Sequence, residues 1–281
     1  MITIGLTTFT DHPALINGNN RNVTLSEYSA HFPVVELDTS FYATPKAETI
    51  LKWADQVPDN FQFVLKANKL MTMHDVATGE KVDEMTRNAE FRKFKLAVRK
   101  LRALGQLKTV LFQFPPTFRR DVNSIEFLRH IRIEMGDYPV AVEFRNDSWF
   151  ESDLVDDLTS YLADLHITLV AADEPHTANV GVPFFSKVTN QDLVMISLHG
   201  RNTKGWVSQS EWRKKRTLYR YSDEELKKLA TTTLELEKHS KEVLVIFNNN
   251  AGHDAAENAL RFKELLNIQY DDLSPLQLDL F

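Results

Sequence analysis

Cysteine is absent from the 281-residue chain. That excludes disulfides, thiolate zinc sites and a nucleophilic thiol, so any metal has to be held by His, Asp or Glu. No apolar run approaches the roughly 18 residues of a membrane span. The opening MITIGLTTFTD enters a strand-like segment without a basic flank, unlike a secretory leader. A soluble cytoplasmic protein with no membrane partner is the expectation. No glycine-rich fingerprint follows the first apolar run, which removes the main support for a Rossmann domain and leaves no nucleotide-cofactor motif. Internal repeats and low-complexity tracts are also missing.

The composition that remains is ordinary for a globular protein, 43% hydrophobic and 26% charged. A net charge of −6 argues against a general polyanion binder, but it hides an asymmetry. Between Arg201 and Tyr221 stand seven basic residues (Arg201, Lys204, Arg213, Lys214, Lys215, Arg216, Arg220) and one acid, Glu211. That stretch is therefore +6 and the rest of the chain −12. Its cations are interleaved with Trp206, Trp212, Tyr219 and Tyr221, a pattern that suits phosphate or nucleic acid as well as a solvated helix face.

Short β-branched apolar runs recur eight times, at 2–7, 34–40, 61–67, 109–115, 140–146, 168–173, 193–200 and 243–249. Helix-length amphipathic segments such as 84–104, 124–135, 154–165 and 223–238 lie between most of them. Parallel strands with crossover helices alternate in this way, and eight units in about 250 residues predict one closed (β/α)₈ barrel, an α/β fold of the TIM type, over residues 1–268. The first and sixth helices carry the weakest signal. Residues 269–281 read as a separate C-terminal tail.

Side chains alternate faces along a strand, so the polar residues of a barrel's mouth should share the inward phase. Glu36, Asp38 and Ser40 share one face of the second run; Lys66 is in phase with Val64, Gln113 with Leu111, and Glu143 with Arg145. Asp173, then Ser197 and His199, then Asn248 end the later runs. Charges of this kind are costly to bury unpaired, and their concentration at strand ends marks the C-terminal mouth as the site.

Several runs in order, ELDTSFYATP (36–45), LFQFPPTF (111–118), VEFRNDSW (142–149), AADEP (171–175), LHGR (198–201) and FNNNAGHDAAENA (247–259), resemble the YecE-like or YunF-like family, a domain of unknown function. The resemblance covers almost the whole chain to about residue 265 and implies a TIM-like barrel without an established reaction. That family commonly has an arginine two residues before the His-Gly of the seventh strand, where this chain has Ser197. An anion-binding role for that arginine would pass here to Arg201 or the basic segment.

Glu143 and Arg145 are the leading candidates, since a guanidinium orients a carboxylate or a phosphate. Asp173, followed by Glu174-Pro175, and Asp38 offer carboxylates for acid–base work or metal binding. Lys66 can serve as an electrophile, as a Schiff-base nucleophile, or as ion-pair partner of Glu36 or Asp38. His199 can act as ligand, base or donor, with His74, His176 and His253 in loops facing the same mouth. No compact metal spacing appears, and a divalent metal stays an open option. Gln113, Asn248 and Asn249 are candidate substrate donors. Phosphate is expected between the basic segment and the turn at 248–252, near a helix N-terminus and Arg201. Tyr42, Trp206 and Trp212 can stack on a ring; Phe41 and Trp149 fit core roles better.

The tail ends in Gln277-Leu278-Asp279-Leu280-Phe281. It resembles the linear motif by which bacterial DNA-metabolism proteins dock into the sliding clamp, and arises by chance on the order of once in several hundred thousand positions. Gln277, Leu278, Leu280 and Phe281 would make that contact, unless they pack on the barrel. Three functions follow in order: a hydrolase or lyase acting on a phosphate-bearing nucleotide or nucleic acid, a carbohydrate hydrolase, lyase or isomerase using Glu143 and Asp173, and a non-catalytic barrel holding a small polar or anionic ligand.

Overall fold

The computed structural model describes residues 1–19, 21–79, 82–152, 154–177, 180–207 and 215–275. Eight parallel strands close a barrel in sequence order: β1 Ile2–Thr7, β2 Val34–Leu37, β3 Gln62–Lys66, β4 Leu107–Gln113, β5 Val140–Glu143, β6 Ile167–Asp173, β7 Val194–Leu198 and β8 Val243–Phe247. All eight expected runs are strands. The second is shorter than the sequence suggests, because Asp38 opens a single helical turn, and Ser40 Oγ is tied to the carbonyls of Leu37 and Lys66.

The helices are α1 Leu25–Ser29, α2 Thr39–Tyr42, α3 Ala47–Ala54, α4 His74–Thr78, α5 Glu84–Ala103, α6 Val122–Met135, α7 Val155–Asp164, α8 Thr203–Val207, α9 Asp223–Glu237 and α10 Asp254–Leu265. Helix α5 starts where Asp83 accepts from the Thr86 amide, and it buries Phe91, Phe94, Val98 and Leu101 at helical spacing. A capping box between Ser222 and Glu225 starts α9. The two weak helical signals correspond to a short α1 and to the β6–β7 connection, which contains no helix among the described residues. None of these helices is long and apolar enough to cross a membrane.

The core forms two shells. Inside the barrel lie Val34, Val64, Leu111, Ala141, Val170, Met195, Leu244 and Ile246. Their strand neighbours, among them Val35, Leu65, Phe112, Val142, Leu169, Ile196 and Val245, face the helices. The β1–β2 seam is brief, pairing only Leu6 with Val35 and Thr7 with Glu36. Below it the buried Tyr28 hydroxyl replaces the ladder, accepting from the Leu6 amide and donating to the Val34 carbonyl. At the strands' N-terminal end, Lys108 and Glu242 meet 2.7 Å apart across the barrel. Tyr270, early in the tail, accepts from the Ile4 amide and so belongs to the packed body.

Candidate active site

Inward parity decides which groups meet at the mouth. On β5, Ala141 lies in the inner shell and the alternation carries Glu143 and Arg145 inward above it. The same rule on β7 brings in His199 and on β8 Asn248. On β6 the inner residue is Val170, whereas Leu169 and Ala171 face outward. Asp173 therefore shares the outward phase and Glu174 the inward one, a one-residue difference from the sequence reading. Thr168, Val170 and Ala172 carry that parity in the sequence as well, although Asp173 is the more conspicuous polar strand end.

Glu174 joins Glu143, Arg145 and His199 in one buried cluster. Arg145 Nη2 lies 2.5 Å from Glu143 Oε1 and 2.8 Å from His199 Nε2, while Nη1 is bonded to Glu174. Gln113 donates to Glu143 Oε1 at 2.7 Å, and the Val182 amide donates to Glu174 Oε1 at 3.0 Å. Gly181 makes that last contact feasible: its φ is +72°, and a Cβ there would stand 1.8 Å from the Pro175 carbonyl oxygen. One donor atom each from Glu143, Glu174 and His199 falls within 4.8 Å of the others, a set able to hold a divalent cation. Arg145 already supplies positive charge among them.

Burial sets the protonation states. Burial opposes ionisation of Glu143, but Arg145, His199 and Lys66 outweigh it and hold the carboxyl well below its usual range. Glu174 goes the other way: burial and the Glu143 charge lift it to about 7 against the pull of Arg145. Burial and then Arg145 lower His199 to about 4, so it is neutral near pH 7 and carries a single N–H. With Asn248 Nδ2 donating to Nδ1 at 3.0 Å, that proton sits on Nε2 and is directed at Glu143 Oε1, also 3.0 Å away. Turning the Asn248 amide reverses the tautomer and offers the Nε2 lone pair to Arg145.

Trp206 of α8 lies over this cluster. Arg145 is 5.2 Å from its ring and Arg216 is 3.6 Å away on the same indole. Gly205 allows the approach, since a Cβ would come 2.4 Å from the Lys215 carbonyl oxygen, the atom Asn202 grips at 2.8 Å. Burial and then the nearby Arg145 lower Arg216 to about 9, partly offset by Glu174 and Glu143. Sequence pattern alone points to neither Glu174, which stands next to a more conspicuous aspartate, nor Arg216, one cation in a basic run.

On the opposite rim Lys66 pairs with Asp38 at 3.3 Å and lies 5.5 Å from the Phe41 ring. Phe41 also meets Tyr42 and His74 edge-on. Burial, then Lys66, lowers His74 to about 4. Tyr42 is 70% exposed and presents an open ring at the rim. Trp149 is instead stacked in the outer core against Phe144, 4.1 Å away.

Other candidates are drawn away from the ligand space. Asp173 accepts from Arg201 Nε at 3.0 Å and from the Tyr221 hydroxyl at 2.6 Å, and Arg201 also reaches Glu225 at 3.3 Å. Asn249 is fully buried and donates to the Tyr219 carbonyl and to Asn258. The N-terminus of α10 bears Asp254 and Glu257, both paired 2.6 Å from Arg220, so the turn at 248–252 carries its own anions. His176 and His253 pair with the exposed Asp147 and Asp11. Trp212 and the tail residues Gln277, Leu278, Leu280 and Phe281 lie outside the described residues.

Known proteins agree with this architecture. UPF0759 protein YunF of Bacillus subtilis is 39% identical over 285 residues, covering all of both chains. UPF0759 protein YecE of Escherichia coli K12 is 31% identical over 151 residues, about half of each chain. A crystal structure of a DUF72 family protein from Enterococcus faecalis superposes with a TM-score of 0.91 at 39% identity, covering 99% of this chain and 100% of that one. One from Thermotoga maritima gives 0.80 at 28% identity, over 95% of this chain and 100% of that one. With a family model matching residues 3–279, the chain belongs to the family described as protein of unknown function DUF72.

Proposed function

We propose that the mouth is the active site of an enzyme acting on a phosphate-bearing substrate, a hydrolase or lyase that works by acid–base chemistry. The observation that carries this reading is the placement of Arg145 and Arg216 on one indole, 5.2 and 3.6 Å from the Trp206 ring; burial, then repulsion by Arg145, lowers Arg216 to about 9 even with Glu174 and Glu143 nearby. An anion placed between two guanidinium groups relieves that repulsion, and phosphate oxygens match their donor geometry. Arg145 Nε and Trp206 Nε1 are buried donors without a hydrogen-bond partner, available to such oxygens. Lys66 adds charge on the far rim, and the exposed Tyr42 ring offers a stacking face to the base of a nucleotide.

Glu174 is the group suited to move the proton, because at about 7 both of its forms are populated near neutral pH. An anion that draws Arg145 away removes the cation favouring ionised Glu174, so binding takes up protons near neutral pH. A carbohydrate site is favoured less. Glu143 and Glu174 bring an oxygen each within 4.8 Å of the other, which suits a retaining pair at roughly 5 Å, but Arg145 joins them where a sugar would have to lie.

Titration calorimetry with inorganic phosphate, in buffers of different ionisation enthalpy, tests the reading. Wild type should bind with proton uptake, and Arg216→Met should lose at least about tenfold in affinity, ~1.4 kcal/mol. Equal affinity in the variant rejects the assignment.

The terminal pentapeptide supports a second, compatible reading, docking to the DNA sliding clamp. Ser274 is bonded to Ser29 through backbone at 3.1 Å and through the two hydroxyls at 2.7 Å. Ser29 ends α1, on the side where helices return to the strands' N-terminal ends. The described chain therefore ends its course on the side away from the mouth. Clamp retention should disappear when Leu280 and Phe281 are removed; retention by the truncated chain would reject docking.

A further inference from the structure

Behind Lys66 lies a second pair of acids that the cluster around Arg145 does not use. Glu36 is the inward residue of β2 above Val34 and is 1% exposed. Asp38 begins α2 two residues later, with its side chain 31% exposed toward the mouth. Glu36 Oε1 accepts from Thr7 Oγ1 at 3.3 Å, and Asp38 Oδ1 lies 3.3 Å from Lys66 Nζ. Glu36 Oε2 and Asp38 Oδ1 are both buried and lack a hydrogen-bond partner. Two ionised carboxylates cannot satisfy each other, since each only accepts. One proton between them makes one oxygen a donor and leaves the other an acceptor, and both are satisfied.

We propose that Glu36 and Asp38 share a single proton and form a proton-storing pair, with Asp38 touching the ligand and Glu36 holding the proton behind it. The surroundings favour one proton over none. Burial, then the Asp38 charge, raises Glu36 well above the usual carboxylate range, and Glu143 from β5 adds to the effect. Lys66 on β3 opposes it and neutralises the one negative charge the pair retains. Two carboxyl groups at one site commonly divide in this way, because the second ionisation would place like charges side by side.

In use, the single proton moves from Glu36 to Asp38 and on from Asp38 to the leaving oxygen of the ligand, the Asp38 O–H bond breaking as the ligand's O–H bond forms. The pair is left with both carboxyls ionised, and a proton from water restores it. This use rests on the acid–base reading above; the shared proton itself does not.

Infrared spectroscopy of the full chain at about pH 9 tests the pair, since Glu174, at about 7, is ionised by then. Wild type should keep one protonated-carboxyl C=O band, and Glu36→Gln should lose it. Asp38→Asn, which removes the charged acceptor, should shift the band. A wild type without the band, a band that survives Glu36→Gln, or one unmoved by Asp38→Asn overturns the proposal. The isosteric replacements preserve shape, and circular dichroism of each variant verifies folding. If the band behaves as expected while phosphate fails to bind, the anion reading falls and the pair stands; phosphate binding without the band gives the reverse.

Discussion

The two ends of the barrel hold buried charge in opposite ways. At the strands' N-terminal end, Lys108 donates to both oxygens of Glu242, at 2.9 and 2.7 Å, and Thr3 Oγ1 donates to the same carboxylate at 2.6 Å. Every oxygen of that carboxylate has a donor. At the mouth, Glu143 Oε2, Arg145 Nε and Ser197 Oγ have no hydrogen-bond partner, and Glu36 Oε2 and Asp38 Oδ1 have none beyond the proton proposed between them. A closed ion pair holds the chain together, whereas a set with unmet donors and acceptors is organised for something else to complete it. Hollow space alone does not mark the site, because a cavity of about 610 Å³ lined by Lys108, His166 and Glu242 opens at the end held by the closed ion pair.

The comparison breaks most visibly if the N-terminal pair turns out dispensable. Lys108→Met leaves Glu242 buried and unpaired, and should cost about 3–5 kcal/mol in denaturant unfolding without changing phosphate affinity. Adding Glu242→Leu should return most of that loss. A single variant as stable as wild type would mean that the closed end is not the structural one.

Next in size is the pH dependence contributed by Glu174. Its pKa rises on folding from 4.5 to about 7, so between those values the folded state holds more protons than the unfolded one. Stability from this group therefore falls as pH rises through that window, by about 3 kcal/mol in all. Unfolding of wild type and Glu174→Gln, compared at matched pH, should show the decline only in wild type. Parallel curves would place Glu174 in an ordinary environment. A smaller effect, about 1–3 kcal/mol, is expected for Gly181→Ala, which strains the left-handed turn carrying the Val182 amide to Glu174. Its Glu174 titration should shift as well; an unchanged titration would separate the loop from the cluster.

The barrel was legible because strand runs and helix caps are local signals. The inward ring was legible because alternation depends only on counting from an aliphatic residue. Counting failed on β6, where Asp173 stood out as the polar strand end although Thr168, Val170 and Ala172 put Glu174 on the inner face. The partners of Arg201 and Asn249 could not be read, since Asp173, Glu225 and Asn258 approach them only through tertiary packing. Residue type does not separate Arg216 from the other cations of its basic run: Arg220 pairs with Asp254 and Glu257, and only the folded chain brings Arg216 onto Trp206.

The central claim is that the mouth is completed by an oxyanion held between Arg145, Arg216 and Trp206. Crystals of the full chain soaked in arsenate, a phosphate mimic located by its anomalous scattering, test it most directly. The account predicts a peak within hydrogen-bonding distance of both guanidinium groups and of Trp206 Nε1, absent in Arg216→Met. Arsenate bound instead at the N-terminus of α10, or a mouth left empty at saturating concentration, would contradict it.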